Sequence, residues 1–170
     1  MLHHRTLTAI LLATALLAGC GGGDDDSSPQ TKEGFISAAD GICEDMFSEF
    51  AQASEDQPKT PQEVADANEE LADTYDELAG RLADVRLPSA GAARTQARAF
   101  ITSVRAAQPP LNNLRRASER FVDAGEAKDG QEIATAGNDV RSALDAFRSA
   151  RANSDQRAIQ YGLNFCGNLC

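Results

Sequence analysis

Residues 60–88 of the chain read TPQEVADANEELADTYDELAGRLADVRLP, and this stretch decides the fold class. Apolar residues recur in it every seven positions, with a second row between them: Val64, Leu71, Leu78 and Val85, then Tyr75 and Leu82. Such a repeat places a stripe of apolar side chains on one face of a helix, and that face is buried against other helices. The stretch therefore predicts a long amphipathic helix in a helical protein.

The ends of this helix are also readable from the sequence. Thr60 can cap the helix, Pro61 suits the first helical position, and Glu63 can complete a capping box. At the other end, Leu87 precedes Pro88, and a proline disfavours helical backbone at the residue before it. We therefore expect a helix that begins after Thr60 and stops at Leu87-Pro88.

Three further segments have the same apolar rhythm. They are residues 33–54, residues 93–121, and residues 129–161 with Gly162 as a stop. The second of these crosses Pro109-Pro110, which leaves two alternatives: one kinked helix, favoured by the unbroken rhythm, or a break into two helices near Gln108. No strand-like alternation occurs. The sequence thus predicts an all-α, antiparallel up-down four-helix bundle, with the third helix kinked or broken at Pro109-Pro110.

The first twenty residues have the layout of an export signal. An apolar run from Leu7 to Leu17 follows a single charged residue, and it is far shorter than the ~20 residues that a membrane-spanning helix needs. Leu17-Ala18-Gly19-Cys20 then resembles the lipobox of bacterial lipoproteins at all four positions. The resemblance implies cleavage before Cys20 and a diacylglycerol attached to its sulfur. The alternative is an ordinary secreted protein with Cys20 near its cleavage site.

These features predict three regions: a lipoprotein signal peptide at residues 1–19, the lipidated Cys20 with a disordered tether at residues 20–32, and a helical domain at residues 33–170. The tether is made of glycine, aspartate, serine and other residues that cannot join a core. Two acyl chains anchor a protein stably to a membrane. We therefore expect a cell-membrane protein, held on the extracytoplasmic face through the lipid on Cys20.

The charge distribution argues against a nucleic-acid partner. The sequence has 16 lysines and arginines against 26 acidic residues, a net charge of −10. The acids are concentrated in residues 33–88, whereas residues 89–128 form a basic island with these arginines: Arg94, Arg98, Arg105, Arg115, Arg116 and Arg120. The island is read either as an anion-binding face or, preferably, as a set of partners for the acidic segment before it.

The missing residue types restrict the chemistry. The two histidines, His3 and His4, fall in the segment expected to be removed, so the mature chain lacks the commonest general base and the commonest transition-metal ligand. Its three lysines, at 32, 59 and 128, lie near helix ends or in linkers, where a lowered lysine pKa is not expected. We therefore predict no enzyme activity, no catalytic residue, no metal site and no cofactor.

The cysteines other than Cys20 indicate how the domain is closed. Outside the cytoplasm disulfides persist, and an up-down bundle returns the end of its fourth helix to the start of its first. Cys43 on the buried face of the first helix and Cys166 after the fourth are therefore the expected pair. Pairing of Cys170 with either of them remains open, and so does a redox role, although the three residues between Cys166 and Cys170 do not match the usual Cys-x-x-Cys spacing.

Two short motifs extend the resemblance beyond the lipobox. Ala-Asp-Gly-Ile-Cys at residues 39–43 and Tyr-Gly-Leu-x-x-Cys-Gly at residues 161–167 resemble a loose class of small lipoproteins from high-GC Gram-positive, actinobacterial-type bacteria. The likeness covers the ends of the domain, and Cys170 departs from the single-cysteine ending of that class. The resemblance implies a helical protein of the cell envelope and no particular activity.

The function expected from these features is a non-enzymatic binding or interaction module of the envelope, with an envelope protein as its partner. A structural spacer and a helical bundle that binds a small molecule are the alternatives. A pocket lined by Tyr75, Arg151 or Tyr161 would favour a small ligand, whereas a solid core with an exposed apolar patch would favour a protein partner.

Overall fold

The computed structural model describes residues 30–53, 58 and 60–167, with side chains from 49 to 53 excepted. The predicted signal peptide, Cys20, most of the predicted tether and Cys170 lie outside the described residues. The helices are α1 (Lys32–Ala53), α2 (Pro61–Asp84), α3 (Gly91–Arg105), α4 (Gln108–Ala127) and α5 (Gly130–Tyr161). No strand occurs in the described part of the chain, so the prediction of an all-helical domain is confirmed.

The starts of α2 and α5 and the end of α5 follow the capping signals in the sequence, whereas α2 ends at Asp84, before the expected stop at Leu87-Pro88. The Thr60 hydroxyl accepts a hydrogen bond from the Glu63 backbone N–H at 3.2 Å, and the Glu63 carboxylate accepts one from the Thr60 N–H at 2.9 Å, which confirms the capping box. At α5, the Asp129 carboxylate accepts from the N–H groups of residues 131 and 132, both at 3.0 Å. Gly162 ends α5 in the left-handed region with φ of 101°, which a side chain would disfavour.

Helices α3 and α4 join into one bent helix, so the first of the two alternatives at Pro109-Pro110 is confirmed. The backbone keeps right-handed helical angles at Ala106 and Ala107, which join the end of α3 to the start of α4. Neither proline carries an N–H group to bond back into the previous turn, and the chain bends at this point because those helical hydrogen bonds cannot form. Leu111 resumes the regular pattern by donating to the Ala107 carbonyl oxygen at 3.2 Å.

The seven-residue repeat of α2 is buried only in part. Leu78 and Leu82 are in the core, but Val64 is 39% exposed and the buried position near it is Ala65. A straight helix has 3.6 residues per turn, so a strict seven-residue repeat drifts by ~20° per repeat. The stripe is centred on the core at Leu78 and has rotated towards solvent two repeats earlier, which corrects the expectation that Val64 forms part of the seam.

The core consists of two apolar clusters stacked along the helices. The first surrounds Phe35, Leu82 and Phe100, and the second surrounds Leu111, Leu114 and Phe147. Tyr75 packs against both clusters and joins them. The strongest packing involves α4 with α5, α2 with α4, and α3 with α5. No described helix is long and apolar enough to cross a membrane.

Candidate functional site

The two motifs at the ends of the domain meet in space. Cys43 and Cys166 form a disulfide with their Cα atoms 5.2 Å apart, which supports the predicted pairing. Phe35 at the start of α1 packs edge-to-face on Tyr161 at the end of α5, with ring centroids 5.5 Å apart. The first and last helices are therefore joined at one end of the domain by a covalent bond and an aromatic contact.

Asp40 completes this closure and was not singled out in the sequence. Its carboxylate accepts three backbone N–H hydrogen bonds, from Asn164 at 3.0 Å, Phe165 at 3.0 Å and Cys166 at 3.3 Å. The side chain is only 8% exposed. The available signal was an acid on the apolar face of a helix between two core positions, Ala39 and Cys43, because an acid is rarely buried there without partners. Asp40 therefore holds the loop after α5 against α1.

A small apolar cavity lies between α1, α2 and α5, and it is the candidate functional site. Its volume is about 160 Å³, and it is lined by Met46, Phe47, Leu71, Thr74, Tyr75, Leu78, Phe147 and Arg151. Tyr75 meets Phe147 edge-to-face with centroids 5.0 Å apart, which fixes two of the walls. Phe47 is 44% exposed and forms part of the rim. The cavity thus combines apolar walls with one cationic side chain.

The Arg151 side chain lies in this wall, and some of its polar atoms have no hydrogen-bond partner in the described part of the chain. Its Nε lies 3.8 Å from an Asp155 carboxylate oxygen, one helical turn further along α5, which is too long for a hydrogen bond. Nε and Nη2 of Arg151 and Oδ1 of Asp155 are buried and have no hydrogen-bond partner among the described residues. Buried polar groups are nearly always satisfied, so each exception requires an explanation such as a water, an ion or a ligand.

Asp155 is itself in an unfavourable environment. Burial raises the pKa of its carboxyl above the ordinary value of 3.8, and the positive charge of Arg151 opposes this rise only in part. The side chain is 14% exposed, against 28% for Arg151. The pair therefore has opposite charges side by side, without the hydrogen bonds that would make such a pair favourable when buried.

Of the three residues named from the sequence as markers of a pocket, two line the cavity and one does not. Tyr75 and Arg151 lie in the cavity wall. Tyr161 does not: it is buried against Phe35, with Lys32 Nζ 5.0 Å from its ring centroid. Burial and, to a smaller extent, the Glu33 carboxylate raise the pKa of the Tyr161 hydroxyl. Tyr161 therefore belongs to the closure of the domain and not to the cavity.

Ion pairs are formed by Arg115 and Arg120 of the basic island, and only one of the two is with the acidic segment before it. Arg115 lies 3.7 Å from Asp73 on α2, as expected, whereas Arg120 pairs at 2.7 Å with Asp139 on α5. An open depression of about 520 Å³ between α4 and α5 includes Arg116 and Arg120, yet Glu119 and Asp139 line it as well. This mixed lining does not make a cationic face, so the depression is not the preferred site.

Comparisons with protein-family models, curated proteins and solved structures found no match. Among the residues that the structure describes, no three histidine, cysteine, aspartate or glutamate side chains are grouped as a metal site would require. The predicted absence of metal, cofactor and catalysis stays a prediction.

Proposed function

We propose that this chain is a membrane-anchored, extracytoplasmic lipoprotein whose helical domain acts as a non-enzymatic binding module. The lipobox-like sequence ending at Cys20, after an apolar run too short to span a membrane, supports the anchor. The lack of histidine after residue 4 and the acidic composition support a role other than hydrolysis or nucleic-acid binding. The disulfide between Cys43 and Cys166 is compatible with an oxidising compartment.

The proposal includes the up-down order of the helices, with α3 and α4 counted as one bent helix. Residues 68, 73 and 76 of α2 contact residues 118, 115 and 108 of α4 in that order, so the two numberings run in opposite directions. Arg120 near the end of α4 contacts Asp139 near the start of α5, and Phe35 near the start of α1 contacts Tyr161 at the end of α5. Each of these pairs is what an antiparallel arrangement would give.

The cavity is the observation that carries the binding proposal. Its apolar walls, with a few polar groups in fixed positions, have the character of a ligand site, although its volume of about 160 Å³ is below the ~300 Å³ at which such sites usually begin. Arg151, whose side chain lines the cavity and is 28% exposed, supplies a cationic group for a ligand to pair with. A solid spacer has no need of either feature, so the small-ligand alternative is the one we favour.

An envelope protein partner is the second candidate. Ile159 and Phe165, at the closed end of the domain, are 58% and 48% exposed. Large apolar side chains at the surface are common singly, whereas neighbouring ones are typical of interaction sites. This candidate would place the partner at the disulfide end, away from the cavity.

The anchor is tested by metabolic labelling with a fatty-acid analogue in a bacterium that processes lipoproteins. We expect wild-type protein to be labelled and membrane-bound, and Cys20→Ser to be unlabelled and released to the soluble fraction, because the lipid is the only attachment proposed. Labelling that survives Cys20→Ser would contradict the anchor.

Binding at the cavity is tested with Met46, which lines it and is the only methionine besides Met1. In the mature chain carrying Cys20→Ser and ¹³C-methyl methionine, small aromatic probes should shift the Met46 methyl resonance saturably. Leu71→Trp, in the cavity wall, should prevent the shift. Val64→Trp is the matched control, because it lies one repeat earlier on α2, is exposed, and is not among the residues lining the cavity. A resonance that no probe moves would refute the proposed function.

A further inference from the structure

We propose that the cavity takes a small organic monocarboxylate carrying one aromatic ring or a short branched alkyl group, with its carboxylate against Arg151. This inference rests on the proposed function and names its ligand class. Three features of the described residues support it: the cavity's size, the shape of its aromatic walls, and the sign of the charge at its edge.

The size limits the apolar part of the ligand. A cavity of about 160 Å³ is close to the ~150 Å³ engineered cavity that binds benzene, so it has room for a single ring or a group of similar volume. A long acyl chain or a fused ring system would leave most of its apolar surface in solvent. The ligand is therefore much smaller than a membrane lipid, although the protein is expected to be tethered beside one.

The walls favour a flat ring. Tyr75 and Phe147 are in edge-to-face contact at 87°, with their centroids 5.0 Å apart, so a ligand ring would pack against the surface that these two rings form together. Leu71 and Leu78 supply aliphatic contacts from α2, and Met46 supplies a flexible thioether from α1. Methionine side chains adapt well to irregular apolar groups and make favourable contacts with ring edges.

The charge expected on the ligand follows from which charged side chain lines the cavity. Arg151 lines it, whereas Asp155 is not among the lining residues. A carboxylate can accept charge-assisted hydrogen bonds from a guanidinium, and the Arg151 side chain is 28% exposed. Its Nε and Nη2 are buried, so Nη1 is the guanidinium nitrogen left to meet a ligand. A neutral ligand would accept at most a weaker hydrogen bond from the guanidinium, and a cation would be repelled. An Asp155 carboxylate oxygen lies 3.8 Å from Nε, so Asp155 neutralises part of the positive charge of Arg151 and lowers the affinity expected for a carboxylate ligand.

The experiment compares three probes of equal shape and different charge: phenylacetate, 2-phenylethanol and 2-phenylethylamine at neutral pH. They are titrated into the mature chain carrying Cys20→Ser, with the Met46 methyl resonance as the readout. We expect phenylacetate to bind with a Kd at least about tenfold below that of 2-phenylethanol, as one charge-assisted hydrogen bond would give. The amine should bind more weakly than the alcohol.

Two variants then test the part played by the guanidinium. Arg151→Gln should abolish the preference for phenylacetate over the alcohol, and Arg151→Lys should keep part of it, since the charge remains but the fork is lost. Arg148→Gln is the matched control: it removes the same charge three residues earlier on α5, from a side chain that is 72% exposed, and it should keep the full preference. Circular dichroism confirms that each variant is folded.

The outcomes separate the two proposals. If none of the three probes shifts the Met46 resonance, the cavity is not a binding site and the proposed function fails. If the alcohol binds as tightly as phenylacetate, or if Arg151→Gln keeps the preference, the function stands and the carboxylate inference is overturned.

Discussion

Replacing Asp40 should destabilise the domain more than any other single charge removal on α1. In Asp40→Asn, the remaining carbonyl oxygen can keep the two bonds that Oδ1 accepts from Phe165 and Cys166, but the new amide group would face the Asn164 N–H, which is also a donor. One bond to a charged acceptor is lost, and such bonds contribute about 1.5–3 kcal/mol each. We expect Asp40→Asn to cost about 2 kcal/mol and Asp40→Ala about 4 kcal/mol, because the alanine leaves all three N–H groups unsatisfied.

The assay is urea unfolding of the oxidised protein, with thermal melts beside it. For a domain of this size, 2 kcal/mol corresponds to a fall in Tm of about 6–8 °C. Asp45→Asn is the control: it is the same chemical change on the same helix, but Asp45 is exposed and makes a surface ion pair with Arg81 at 2.9 Å, which contributes about 1 kcal/mol at most. The reasoning is refuted if Asp40→Asn and Asp45→Asn unfold at the same urea concentration.

Three other predictions concern stability. Reduction of the bond between Cys43 and Cys166, which are 123 positions apart, should lower Tm while leaving the circular dichroism spectrum helical. The chain-entropy model gives roughly 5 kcal/mol as the upper limit of the stability lost, and an unchanged Tm would contradict the prediction. Thr60→Ala should cost about 1 kcal/mol in urea unfolding, because it removes half of a capping box, and no change would show that the box is not formed in solution. Because burial raises the pKa of Asp155, the folded state binds its proton more readily than the unfolded state, and ionisation costs stability as pH rises from the ordinary value of 3.8 through the raised pKa of the folded state. Asp155→Asn should therefore gain stability relative to wild type over this interval, and a gain that shrinks with rising pH would contradict the sign.

The parts of the fold that depend on local interactions were predictable from the sequence. Thr60, Glu63 and Gly162 act on backbone groups within a few residues of themselves, and each has in the structure the capping role that the sequence predicted. The pairing of Cys43 with Cys166 was also accessible, since a helix face and an up-down order were enough to infer it. Local rules, together with an assumed up-down order, were therefore enough to predict these features.

The parts that depend on the relative rotation of helices were not predictable. Val64 belongs to the seven-residue pattern but turns outward, because the drift of the stripe depends on where the partner helices end. Asp40 has partners about 125 positions away, so no local signal specifies them. Tyr75 and Arg151 were named as pocket residues, yet the sequence did not show that Asp155 lies beside the arginine without hydrogen-bonding to it.

A crystal structure of the mature chain carrying Cys20→Ser, grown with phenylacetate, would show directly whether the cavity holds a ligand. We predict the ring packed against Tyr75 and Phe147, and a carboxylate oxygen within about 2.7–2.9 Å of a guanidinium nitrogen of Arg151. Phenylacetate elsewhere on the surface, with Arg151 paired to Asp155 through two short hydrogen bonds, would contradict the claim that the cavity is a ligand site.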